Sequence, residues 1–60
     1  MEGSFTQWMR EVDANVWRLA GVSAHDLPDQ TYRDWYECEY EPEDAAEEAL
    51  SNAGFPVNAG

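Results

Sequence analysis

Phe5-Thr6-Gln7-Trp8-Met9-Arg10-Glu11-Val12-Asp13-Ala14-Asn15-Val16-Trp17-Arg18-Leu19-Ala20-Gly21 is the stretch whose reading decides the fold. Phe5, Trp8, Met9, Val12, Val16, Leu19 and Ala20 recur at spacings of three and four, which gathers them on one face of an α-helix. Gln7, Arg10, Glu11, Asn15 and Arg18 fall on the polar face. Ser4 stands where an N-cap belongs, with Gln7 as reciprocal partner of a capping box, and Gly21 offers a left-handed stop. A helix over 4–20 is therefore predicted. Trp17 lies at the edge of the apolar stripe and is the first candidate for a contact surface.

Outward from this helix, residues 22–30 read as a linker in which Ser23 and Asp26 can cap one short turn and Pro28 holds Leu27 extended. Leu27 is expected to plug the core. Asp29 is a good N-cap for a second helix over 29–41, in which Tyr32, Trp35, Tyr36 and Tyr40 return at helical spacing. Arg33, four residues after Asp29 and four before Glu37, is expected to pair with them on the exposed side. Residues 36–41 also alternate polar and apolar as a strand would, but no second such run exists to pair with it. Pro42 suits the first position of a third helix over 42–53, whose narrow stripe of Ala45, Ala46, Ala49, Leu50 and Ala53 ends at Gly54. The small residues invite close packing against the bulky aromatics of the other two helices, and Phe55 is expected to fold back on the core. The prediction is an all-α fold, one small three-helix bundle over 1–60, ordered from about 4 to 55 with a frayed tail at 56–60. Its core is built from Phe5, Trp8, Val12, Val16, Leu19, Leu27, Tyr32, Trp35, Ala46 and Leu50.

Composition narrows the function. The 60 residues carry 13 acidic against 3 basic side chains, a formal charge of -10. Such a chain repels phosphate backbones and anionic lipid, so direct nucleic-acid or membrane binding works against its own field. Cys38 is the only cysteine and His25 the only histidine, which leaves no intramolecular disulfide and no closed Cys/His zinc set. Cys38 lies between Glu37 and Glu39, the opposite of the cationic setting that activates a thiol, and is expected on or beside the core. No basic, apolar leader opens the chain and no apolar stretch approaches the roughly 20 residues that span a bilayer, so a cytoplasmic protein is expected. No cofactor is implied.

Six short motifs, Phe5-x-x-Trp8-Met9, Val12-Asp13, Gly21-Val22-Ser23, Asp26-Leu27-Pro28-Asp29, Tyr32-Arg33-Asp34-Trp35-Tyr36 and Pro42-x-x-Ala45-Ala46, resemble a family of short uncharacterised proteins of bacteria and their phages. The resemblance covers residues 5–54. It implies a small, free-standing helical domain, and it carries no assigned activity from which a functional residue could be transferred.

Two chemistries compete for the remaining signals. His25 beside Asp26, with Asp29 near, is the minimum for acid/base or metal-dependent work and defines the enzyme alternative. No nucleophile is placed by spacing, and the carboxylates of 37–48 lack the alternating pattern of a calcium loop. The leading expectation is therefore a non-enzymatic, acidic interaction protein that binds a basic partner protein, as an inhibitor by DNA mimicry. Glu43, Asp44, Glu47 and Glu48 stand one turn apart in pairs and form the expected charged patch. Eight Trp, Tyr and Phe side chains exceed what so small a core encloses, and Trp17, Tyr36 and Tyr40 are expected at the surface, for a partner or for a second copy of the chain.

Overall fold

A computed structural model describes residues 2–55. Three α-helices, α1 (Glu2–Ala20), α2 (Tyr32–Glu37) and α3 (Pro42–Asn52), are joined by a 3-10 turn at Ala24–Asp26 and a tight turn at 38–41, with no strand among the described residues. The fold is the all-α three-helix arrangement that the periodicity predicts. The expected fraying of 56–60 lies outside the described residues.

The long first helix is the element against which α3, the 3-10 turn and α2 all pack. Val12 and Val16 on its stripe are fully buried against Ala45, Ala46, Ala49 and Leu50 of α3, with Trp8, Ala24 and Leu27 closing the core. Alanines on α3 let its backbone approach α1 closely, and Leu50 supplies the bulk. Phe5, Leu19, Tyr32 and Trp35, expected inside, are half-buried and pack on the outside of this core. Ala24, Ala45 and Ala49 take the buried positions instead, because small side chains are what fit at the closest approach.

The helix boundaries differ from those expected. Helix α1 begins at Glu2, so Ser4 lies inside it and forms no capping box; the Gln7 amide donates instead to Glu11 one turn on, at 3.4 Å. Helix α2 is only six residues long and its N-cap is Thr31 rather than Asp29. It also stops well short of 41. Pro42 excludes the helical conformation for the residue before it, and Glu41 is accordingly extended (φ -71°, ψ 148°). The chain therefore has to leave the helix between Tyr36 and Glu41. It does so through a Schellman turn in which the Tyr40 N–H donates to the Trp35 carbonyl and the Glu39 N–H to that of Tyr36. Cys38, at the C-cap of α2, is exposed in this turn rather than beside the core.

Aromatic packing also rearranges the expected surface. Tyr36 is half-buried, edge-on to Phe5 (5.1 Å between centroids) and to Trp8 (5.4 Å), not exposed. Arg33 pairs with neither Asp29 nor Glu37; its guanidinium stands 4.6 Å above the Phe5 ring, a cation–π contact that joins α2 to α1. Phe55 is exposed rather than folded onto the core, although its N–H caps α3 by donating to the Leu50 carbonyl at 2.9 Å.

Candidate functional site

The turn between α2 and α3 builds the site. Pro42 at the first position of α3 fixes where that helix starts, and Asp44, Glu47 and Glu48 then project from its first two turns. The Schellman turn brings Glu39, Tyr40 and Glu41 up beside them. Together these six residues line an open groove of about 600 Å³, whose far end reaches Ser51. No arginine or histidine lines it.

Two contacts hold the turn. The Trp8 indole N–H donates to the Tyr40 carbonyl at 2.9 Å, tying the turn to α1 across 32 residues of sequence. The Tyr40 ring stacks on Trp35 at 5.9 Å and 15° between planes. The aromatic at the groove is therefore braced from behind while its outer part stays exposed. Glu39 occupies the left-handed region at φ 64°, alone among the non-glycine residues described. The corresponding positions after α1 and α3 are held by Gly21 and Gly54, at φ 73° and 87°.

Of the residues expected at the contact surface, Asp44, Glu47, Glu48 and Tyr40 come together in the groove. Glu43 does not line it: its carboxylate meets the Arg18 guanidinium at 3.6 Å, a solvent-exposed pair of little energetic weight. Trp17 is 54 % exposed on α1 and stands outside the groove. Tyr36 belongs to the aromatic packing described above. Glu39 and Glu41 are the groove residues that the helical reading missed, because a helix continued through 41 would have scattered them around its circumference. The signal was Pro42, which makes Glu41 extended and forces a turn before it.

His25, Asp26 and Asp29 do not assemble into a catalytic set. His25 and Asp29 border a shallow hollow of about 380 Å³, but among the described residues no hydrogen bond joins the imidazole to either carboxylate. Asp26 instead accepts from the Ser23 N–H at 3.4 Å and completes the capping box of the 3-10 turn. Among the described residues no cluster of three or more His, Cys, Asp or Glu is arranged to hold a metal ion, and no helix is long and apolar enough to cross a membrane.

The residue that organises this region is Asp13. Its Oδ1 accepts from the Ser23 hydroxyl at 3.0 Å and from the Ala24 N–H at 2.7 Å, fastening the 3-10 turn to α1 so that Ala24 and Leu27 reach the core. The Asp13 carboxylate also bears on Tyr32. Burial, and secondarily that charge, push the Tyr32 phenol above its ordinary value of 10.0. Comparison of the chain with family models, curated proteins and solved structures found no match.

Proposed function

We propose that the protein is a non-enzymatic binder of a basic partner protein, occupying the partner's nucleic-acid-binding surface with the groove carboxylates of Glu39, Glu41, Asp44, Glu47 and Glu48. The observation that carries this reading is that five carboxylates converge on one concave surface that no cationic side chain enters. Their mutual repulsion is destabilising, by a few tenths of a kcal/mol for a like-charged pair such as Asp44 and Glu48 one turn apart. Tyr40 adds a ring face on which a guanidinium can rest. Helical carboxylate arrays of this kind present to a basic groove the charge that a phosphate backbone would present.

The test is capture on the immobilised protein from bacterial lysate at low and high salt, with duplex DNA as competitor. Retained proteins are expected to be basic, to leave as salt rises, and to be displaced by DNA. The double variant Glu47→Gln, Glu48→Gln is expected to capture less while folding normally, and His25→Ala to capture as the parent does. Capture that is indifferent to both salt and the Gln variant rejects the groove as the binding surface.

A further inference from the structure

We draw no further inference here: the strongest candidate, the hollow of about 280 Å³ between α1 and the 3-10 turn, sets Arg10 against Asp13 beside Phe5, Met9 and His25, and nothing in the structure shows what covers it.

Discussion

Tyr32 carries the one buried side-chain polar atom without a hydrogen-bond partner among the described residues, its hydroxyl oxygen. A desolvated hydroxyl that bonds nothing is a loss relative to water, so Tyr32→Phe is expected to leave stability unchanged or raise it by up to about 1 kcal/mol. Thermal melts decide it; a clear drop in midpoint would show that the hydroxyl has a partner. The raised phenol makes a second statement. The folded chain keeps this proton where the unfolded chain has begun to lose it, so the stabilisation is intact below pH about 10.0 and is lost as pH rises through the higher folded value. Melts above pH 10 are expected to decline more steeply for the parent than for Tyr32→Phe. Glu39 offers the opposite case, a residue whose backbone opposes its side chain's use. A non-glycine residue in the left-handed region is disfavoured by about 1–2 kcal/mol, and Glu39→Gly is expected to recover up to about 1 kcal/mol of this while weakening capture of a basic partner. A less stable glycine variant would mean that the side chain supports the turn. At this scale the sequence was legible where a rule is local: Ser23 and Asp26 form the capping box that their spacing implied. Asp13 was not, since its partners lie ten and eleven residues away; the available signal was an acidic side chain four residues after Met9 and three before Val16, on the flank of the apolar stripe.

Helix α1 was readable from its period and its glycine stop, and α3 from its start, stop and period. Pro42 sits at the first position of α3, and glycines close both helices in the left-handed conformation. Helix α2 was misjudged in length because its aromatics obey tertiary geometry: Tyr36 turns toward Phe5 and Trp8, and Tyr40 is fixed through its carbonyl by Trp8. A periodic spacing that would continue the helix is overridden by the proline that follows it. The interface between α1 and α3 gives the prediction proper to this scale. Ala49 is fully buried at that contact, and Ala49→Leu has to displace one helix from the other or distort side chains, at about 1–3 kcal/mol. For a domain of this size that is a fall in melting midpoint of several degrees per kcal/mol. An unshifted midpoint would mean that α3 does not lie this close to α1.

Across the whole molecule, the carboxylates are unevenly spread. Carboxylates gather at the α2–α3 turn and on α3, while Arg33 lies over the Phe5 ring and Arg10 and His25 share a hollow with Phe5 and Asp13. Composition alone announced the acidity but not this gathering, which depends on how the turn at 38–41 folds. The arrangement of elements has its own consequence. Because α1 is the shared wall for everything else, the molecule can open in parts. Helix α2 contributes no buried residue and is held by aromatic contacts and the Arg33–Phe5 cation–π contact, with one indole hydrogen bond to the turn that follows it. Its amides are therefore expected to exchange with solvent deuterium through partial opening, faster than those of Val12, Val16 and Leu50, which should exchange only when the whole chain unfolds. When α2 detaches, Glu39 leaves with it, whereas Glu41, whose carbonyl accepts from the Ala45 N–H at the start of α3, stays with Asp44, Glu47 and Glu48. The groove would then exist for only a fraction of the time that the protein is folded, and a partner that seizes it would slow exchange at Trp35 and Tyr36 without touching either.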